Sequence, residues 1–384
     1  MTRFSRRGAI AAAGGAAALA AGSRALAFAP EEPGLNAVAR TRGMRFGSCV
    51  AWSAPGADRG SFANPRYAAL LERDCGVLVA ENEFKWQALR PDARTFDVER
   101  FADMIDYAEA RGMAMRGHTL LWHKTERFPR WLNEYDFGAD PRKEATRLVT
   151  QHINTLGKRY GPRIHSFDVV NETVDDKTGE LRESGLSRAM GGTEALVDLA
   201  FHTARAAAPQ AELVYNDYMD WEPGNETFRS GVLRLLEGFR KRGVPCDALG
   251  LQSHIGPGRD PVPALVGRQE SNWRGFLDEV VAMGYRLIIT EFDVNDRNLP
   301  ADPAVRDRVV ADYTRAYLDI CFSYRQLRDV LAWGMCDRYS WLNGFSPRAD
   351  GTIKRATPYD AEFRPKPMYA AFRDAFAAAP ARPA

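Results

Sequence analysis

Two glutamates directly follow strongly apolar segments, and their placement suggests a catalytic pair. Glu172 follows residues 167–171, and Glu291 follows residues 287–290. A glycosidic bond is cleaved by such a pair, because one carboxyl group protonates the leaving oxygen while the other attacks the sugar or activates water. A separation of about 5 Å between the carboxyl groups would mean retention of anomeric configuration, and a wider gap would mean inversion. The residues alone leave both outcomes open.

Most other predicted strand ends also carry a polar or aromatic side chain. In chain order these are Glu81, Asn82, His118, Trp122, His123, Asn171, Asn216, Asp217, Gln252, His254, Asp293 and Trp333. A structural protein gains nothing by crowding such groups at one rim, where each must be desolvated or paired. Together they suit an uncharged, hydroxyl-rich ligand with apolar ring faces.

A metal site built on His118 and His123 is the main alternative for this rim. Their spacing matches no standard zinc motif, and no third ligand stands out. We therefore expect neither a metal nor a cofactor.

Eight short, β-branched apolar runs alternate with longer segments of helical periodicity. The predicted strands are 44–49, 77–80, 114–117, 166–170, 213–215, 248–251, 286–290 and 330–333. The predicted helices are 65–74, 98–111, 142–160, 194–207, 226–242, 272–283, 303–324 and 367–378. This count favours a single-domain α/β protein, a (β/α)8 TIM barrel, whose functional groups lie at the carboxyl ends of the strands. A doubly wound open sheet gives the same alternation, but no glycine-rich phosphate loop follows the first strand.

The first 27 residues are predicted to be a cleaved export signal. Arg6 and Arg7 precede an apolar stretch at 9–21, and small residues at 25–27 suit a cleavage site. The paired arginines indicate the twin-arginine route, so we expect a periplasmic or secreted protein. A membrane anchor is the alternative, but the stretch is shorter than the roughly 20 residues that span a bilayer. A linker is then predicted at 28–43 and the barrel at 44–380.

Charge and cysteine content exclude several classes of partner. The formal net charge of +2 falls to −2 when residues 1–27 are removed with their four arginines. Such a balance indicates neither a nucleic-acid partner nor an anionic membrane. The five cysteines show no metal-ligand spacing, and their pairing cannot be read from the sequence. We expect a monomer without a stable membrane anchor.

Six motifs in order resemble those of the family 10 glycoside hydrolases, the endo-β-1,4-xylanases. They occupy residues 81–86, 116–123, 168–172, 215–218, 251–254 and 289–293. The resemblance covers nearly the whole chain after the predicted signal. It implies a (β/α)8 barrel and a retaining mechanism, with Glu172 as acid/base and Glu291 as nucleophile. It also implies that Asn171 binds the 2-hydroxyl of the reacting sugar and that His254, partnered by Asp293, orients Glu291.

The resemblance also assigns the substrate-binding residues. It implies contacts to the next sugar on the non-reducing side from Glu81, Asn82 and Lys85, a cleavage site lined by His118, Trp122, Gln252 and Trp333, a further contact from Asn216 and a stacking indole at Trp341. The expected activity is a retaining endo-β-1,4-xylanase acting on xylan or xylooligosaccharides. Another β-1,4-glycanase and a catalytically silent carbohydrate-binding barrel stay open as alternatives.

Four places depart from the family pattern. The segment 124–129 is longer and more charged than usual, and the segment 343–360 differs from the short loop expected there. Met219 replaces a usual Asn, and Phe292 replaces a usual Leu. These differences concern substrate tolerance rather than the chemistry.

Overall fold

Eight parallel strands close into a barrel in the computed structural model, which describes residues 32–258 and 260–383. The strands are β1 (Arg45–Val50), β2 (Val77–Ala80), β3 (Ala114–Trp122), β4 (Ser166–Asn171), β5 (Glu212–Asp217), β6 (Ala248–Leu251), β7 (His254–Ile255), β8 (Arg286–Val294) and β9 (Leu327–Ala332). Neighbouring strands pair in parallel from β6 through β1 to β9 and β8, and β6 pairs with β8 to close the ring. The two-residue β7 extends the β6 side and pairs with β8. The predicted (β/α)8 barrel is confirmed.

Helices precede β1, lie between the barrel strands and follow β9. They are α1 (Leu35–Arg40), α2 (Pro65–Asp74), α3 (Trp86–Leu89), α4 (Glu99–Ala110), α5 (Arg130–Asn133), α6 (Pro141–Tyr160), α7 (Gly185–Met190), α8 (Thr193–Ala207), α9 (Glu226–Arg242), α10 (Val262–Ala282), α11 (Pro303–Phe322), α12 (Leu342–Phe345) and α13 (Pro367–Ala378). The short helix α1 lies inside the predicted linker, and the compact unit begins at Gly34 rather than at residue 44. The predicted export signal lies outside the described residues.

Three of the long helices begin with the same local device. Asn64, Asp140 and Asp302 each accept a hydrogen bond from a backbone N–H of the first turn, and a proline follows each of them. The side chain satisfies a donor that the helix cannot, and proline at the first position has no N–H to satisfy. These signals make the starts of α2, α6 and α11 readable from sequence.

The start of α10 was predicted wrongly, at residue 272 instead of Val262. Pro263 and Gly267 lie in the missed part and lower its intrinsic helix propensity. Pro263 is nevertheless tolerated because it lies in the first turn, where the backbone N–H groups have no partner within the helix. The packing of Leu265 and Gln269, both buried, compensates for the weak propensity.

Apolar side chains fill the barrel centre up to the level of the functional rim. The central cluster is formed by Cys49, Val77, Val79, Val214, Ala248, Ile288, Leu331 and Trp333. A filled centre holds the strand ends in fixed positions, as a pore would not. All five cysteines are buried and free. Among the described residues, no helix has both the length and the apolarity needed to cross a bilayer.

Candidate active site

A cavity of about 590 Å³ opens at the carboxyl ends of the strands. Twelve of the predicted site residues line it: Glu81, Asn82, Lys85, His118, Trp122, Asn171, Glu172, Gln252, His254, Glu291, Trp333 and Trp341. The remaining two, Asn216 and Asp293, are fully buried beneath its wall. The structure therefore gathers the predicted site residues at one end of the barrel.

Glu172 lies just past the end of β4 with a left-handed backbone. Its φ angle is 57°, a region that costs a non-glycine residue roughly 1 kcal/mol or more. Its N–H donates to the carbonyl of Asn216 at 2.9 Å, which holds that conformation. Oε1 accepts from Gln252 Nε2 at 2.9 Å and from Asn171 Nδ2 at 3.2 Å. One carboxylate oxygen is thus fixed by amides, and Oε2 is left for other contacts.

Glu291 lies in β8 and accepts hydrogen bonds at both oxygens. Asn216 Nδ2 donates to Oε1 at 2.8 Å, and His254 Nε2 lies 3.3 Å from Oε2. Thr290 Oγ1 donates to Asn216 Oδ1 at 2.7 Å, so the amide group is turned with its N–H toward Glu291. Asn216 Nδ2 also reaches Asn171 Oδ1 at 2.9 Å, and this links the surroundings of the two glutamates.

The charges around Glu291 favour its ionised form. Burial opposes ionisation, but electrostatic attraction to His118, the hydrogen bond from His254 and the nearby Lys85 outweigh burial and lower the pKa of Glu291 to about 2. Burial likewise opposes the charge on His254, yet Asp293 and Glu291 raise the pKa of its imidazole to about 10. His254 Nδ1 lies 3.1 Å from Asp293 Oδ2. Glu291 is therefore ionised, and its hydrogen bonds fix the orientation of its carboxylate at the cavity.

A second group of polar residues lies on the wall next to Trp122. Lys85 Nζ donates to Asn82 Oδ1 at 3.0 Å and lies 4.8 Å from the centre of the Trp122 ring. Burial lowers the pKa of Lys85 and raises that of Glu81. Polar tips beside an indole match the alternating hydroxyl groups and ring faces of a sugar.

The sequence matches the family model for Glycosyl hydrolase family 10 over residues 34–375. The chain belongs to this family. The family assignment made from the six motifs is therefore confirmed, and the chain is a glycoside hydrolase. Endo-1,4-beta-xylanase 3 of Hypocrea jecorina is 30% identical over 312 residues, which cover 81% of this chain and 78% of the relative. Endo-1,4-beta-xylanase B of Thermotoga neapolitana is 28% identical, over 84% of this chain and 85% of the relative.

Solved structures of family 10 enzymes are similar over most of the chain. Xylanase 10B from Thermotoga maritima superposes with a TM-score of 0.78 at 26% identity, covering 89% of this chain and 98% of that chain. Xylanase 10B from Thermotoga petrophila, in complex with xylobiose, gives a TM-score of 0.78 at 26% identity and covers 90% and 98%. The agreement extends over the whole barrel rather than one part of it.

Several residues of this family 10 site were not assigned a role from sequence. Arg116 and Asp168 form a buried ion pair inside the barrel, and Asp168 Oδ2 lies 2.9 Å from His118 Nδ1. Arg116 and Asp168 lie in the family motifs at 116–123 and 168–172, so those motifs are the sequence signal that points to them. Lys124, in the charged segment after β3, places its Nζ 2.6 Å from Glu172 Oε2. Sequence marked that segment as unusual but could not reveal a contact between separate loops.

The two histidines considered as metal ligands face different partners. His118 contacts Asp168, whereas His123 lies 2.7 Å from Thr173 Oγ1 and 3.0 Å from Ser184 Oγ. Burial lowers the pKa of His123 to about 4, so it is a neutral, hydrogen-bonded structural residue. The pair does not form one metal site.

A possible metal-ligand group lies at the opposite end of the barrel, formed by His165, Glu212 and Asp329. Arg45 contacts both His165 and Asp329, and Arg286 pairs with Glu212. Because Arg45 and Arg286 already neutralise the carboxylates of Asp329 and Glu212, we interpret this group as an ion-pair network at that end of the barrel.

Replacing Asp293 with asparagine should move the acidic limb of the kcat/KM profile to higher pH. Asp293 keeps His254 charged, and that charge helps to lower the pKa of Glu291 to about 2. Glu291 is the expected nucleophile and must be ionised to attack, so we expect activity to be present above its pKa and lost below it. Without Asp293, the acidic limb of the kcat/KM profile should move to higher pH, toward the ordinary glutamate pKa of about 4.3. The pH profile on an aryl xylobioside measures this, with the surface replacement Asp319→Asn as control. An unmoved limb would show that Asp293 does not act through His254.

Proposed function

We propose that this family 10 enzyme is a retaining endo-β-1,4-xylanase in which Glu291 is the nucleophile and Glu172 the acid/base. The arrangement of two carboxylates in one cavity, with unlike surroundings, supports these roles best. Glu291 accepts hydrogen bonds at both oxygens and has a pKa lowered to about 2, which suits a nucleophile. Glu172 lines the same cavity: amides hold its Oε1, and its Oε2, which is paired with Lys124, is the oxygen left to give and retake a proton.

The reaction then proceeds in two steps. Glu291 attacks the anomeric carbon while Glu172 protonates the leaving glycosidic oxygen, and a covalent glycosyl-enzyme forms. In the second step, water attacks the same carbon while the ionised Glu172 takes a proton from that water. The sugar is released with its original anomeric configuration. Asn216 and Gln252 donate to Oδ1 of Asn171 and hold its amide. Asn171 would bind the sugar 2-hydroxyl through a hydrogen bond that strengthens in the transition state.

The walls of the cavity support xylose as the sugar at the cleavage site. The Trp333 ring lies 5.5 Å from the His118 ring and 6.3 Å from the His254 ring, in edge contacts that fix it. A fixed indole here leaves little room for the exocyclic CH2OH that distinguishes glucose from xylose. The relatives named above are called endo-1,4-beta-xylanases, and one similar structure holds xylobiose.

A comparison of polymers tests this specificity. With equal enzyme, we expect reducing sugar to be released from xylan at least about a hundredfold faster than from carboxymethyl cellulose, since one misfitting substituent in a rigid pocket costs about 1–3 kcal/mol per sugar. Short xylooligosaccharides should appear early, as an endo-acting enzyme requires. Comparable rates on both polymers would favour a broader β-1,4-glycanase. Calorimetric binding of xylohexaose without hydrolysis would instead favour a silent binding protein.

Further contacts extend the proposed sugar-binding cleft. Glu81, Asn82 and Lys85 would hold the next sugar on the non-reducing side, because they form a polar ledge beside Trp122. Trp341 would stack on a sugar at the rim. Its Nε1 donates to Asp293 Oδ2 at 2.7 Å, so the ring is held by the same carboxylate that contacts His254.

Export through the twin-arginine route is proposed from Arg6, Arg7 and the apolar segment after them. A polymer substrate supports an exported enzyme, because xylan cannot enter a cell. Replacing both Arg6 and Arg7 with lysine should retain nearly all the enzyme in the cytoplasm, as measured by immunoblots of cell fractions. The single replacement Arg3→Lys is the matched control. Undiminished export of the double variant would exclude this route.

A further inference from the structure

We infer that Glu222 is a positioning residue that holds His254 against Glu291. The inference rests on the proposed function, in which Glu291 is the nucleophile, and it gives a role to a residue outside the six family motifs. Glu222 lies in the loop between β5 and α9. Its Oε1 accepts a hydrogen bond from the N–H of Gly256 at 2.5 Å. Glu222 therefore acts through the short segment 253–256, which carries His254.

The strand that carries His254 is short and is bonded to another strand on one side only. It is β7, which has two residues and pairs with β8 alone among the described strands. The carbonyls of Ser253 and Ile255 accept N–H groups from the β8 side. Backbone groups of alternate residues in a strand face opposite sides, so the N–H of Gly256 faces away from β8. Glu222 supplies the acceptor that a neighbouring strand would otherwise provide.

Helix α11 holds both ends of this segment. Ser253, directly before His254, has a left-handed backbone with a φ angle of 61°, which a non-glycine residue keeps only where its surroundings hold it. Its Oγ lies 2.8 Å from the hydroxyl oxygen of Tyr317. Tyr313, one turn earlier on α11, donates from its hydroxyl to Oε1 of Glu222 at 3.4 Å. The start of the segment is thus held directly, and its end is held through Glu222.

The loop around Glu222 is itself fixed in place. The buried ring of Trp221 lies 5.0 Å from the ring of Tyr313 and 5.1 Å from that of Tyr317. The N–H of Glu222 donates to Oδ1 of Asp220 at 2.7 Å. A carboxyl group on so firmly packed a loop can impose its position on the more weakly held β7.

The surroundings of Glu222 favour its neutral form. Burial and the neighbouring Asp220 raise the pKa of Glu222 to about 8. The other titratable groups that face this pair come from α9, β7 and α11, and they are Arg229, Glu226, His254 and Tyr313. A protonated carboxyl group keeps a carbonyl oxygen that accepts from Gly256. Glu222 therefore acts by its reach and its acceptor oxygen rather than by its charge, and a glutamine should replace it.

Two replacements in the intact enzyme test this role on an aryl xylobioside. Glu222→Met keeps an unbranched side chain but removes the acceptor, whereas Glu222→Gln keeps the acceptor. We expect Glu222→Met to lower kcat about tenfold, the size of one buried hydrogen bond, and to change KM by less than about threefold. The acidic limb of its kcat/KM profile should move about one unit to higher pH, because a displaced His254 no longer lowers the pKa of Glu291. Glu222→Gln should keep kcat within about twofold and leave the limb in place.

Two further variants separate this role from general effects on the loop. Glu226→Met is the matched control, because Glu226 accepts the N–H of Gly224 at 2.9 Å on the exposed side of the same loop. It should leave kcat and the acidic limb unchanged. Glu222→Asp keeps the acid but is one methylene shorter, so it should move the limb as Glu222→Met does. The aspartate variant also decides the question if the methionine variant does not fold.

A double variant tests whether Glu222 acts through His254. In the Asp293→Asn background, Glu222→Met should move the acidic limb little further, since both replacements act on the same imidazole. An unmoved limb in folded Glu222→Met or Glu222→Asp would overturn the inference. So would a loss of kcat in Glu222→Gln as large as that in Glu222→Met. If the wild-type enzyme does not hydrolyse the aryl xylobioside, the proposed function fails; an active wild type with unaffected variants refutes only the inference.

Discussion

Replacement of Glu291 with alanine is expected to lower kcat/KM on xylan by at least about 10⁴-fold. Within residues 32–258 and 260–383, the other acidic groups that contact the partners of Glu291 already have partners of their own, so we expect no carboxylate to replace the nucleophile. Asp168 pairs with Arg116, and Asp293 is buried against His254 and Trp341. Loss of a nucleophile that acts together with its partners removes most of the chemical rate enhancement.

The same replacement leaves positive charge at His254 and near Lys85 without its partner, so folding must be checked. Circular dichroism and calorimetric titration with xylotriose should show a folded variant that still binds. The matched control is Glu237→Ala, which removes a surface partner of Lys241 and should retain full activity. A folded Glu291→Ala variant with near-normal turnover would show that the nucleophile is another residue.

Replacement of Glu172 with alanine is expected to have an effect that depends on the leaving group. On xylan, whose leaving alcohol needs a proton, kcat/KM should fall by roughly 10² to 10⁴-fold, the usual contribution of general acid catalysis. On a dinitrophenyl xylobioside the first step needs no proton, so glycosylation should stay fast and hydrolysis of the intermediate should become limiting. The two substrates together separate the acid role from the base role of Glu172.

Added azide should restore turnover of Glu172→Ala on the dinitrophenyl substrate. Azide is a small anion that can occupy the space of the missing side chain and attack without a base. Because it attacks the intermediate on the face opposite Glu291, the product should be the β-glycosyl azide. In Glu291→Ala the nucleophile is missing instead, and azide should give the α-glycosyl azide. The same anomer from both variants would contradict the division of roles.

The barrel was readable from sequence because its signals are local. Each barrel strand carries a short run of mainly apolar residues, β-branched in most strands, and α2 and α11 begin with a capping side chain and a proline. The missed start of α10 marks the limit of such signals, since tertiary packing stabilises a segment whose propensity is poor.

The members of the candidate site were also foreseeable, but their connections were not. The left-handed backbone of Glu172 has no sequence signature, since a glutamate is an uncommon residue there. Asn216 was expected to touch substrate, whereas its amide is buried between Glu291 and Asn171 and orients both. The pairing of Lys124 with Glu172 joins residues 48 positions apart, and only the closed barrel brings them together.

The most direct test of the central claim is to trap the glycosyl-enzyme and find its attachment point. A dinitrophenyl 2-deoxy-2-fluoroxylobioside carries fluorine at the position where Asn171 would bind the hydroxyl. The fluorine slows both formation and hydrolysis of the glycosyl-enzyme. The good leaving group keeps formation faster than hydrolysis, so the glycosyl-enzyme accumulates. Peptide mass spectrometry of the inactivated enzyme should locate the sugar on Glu291, and proton NMR of xylan hydrolysis should show the β anomer first. A label on any other residue, or no label together with initial α products, would contradict the account.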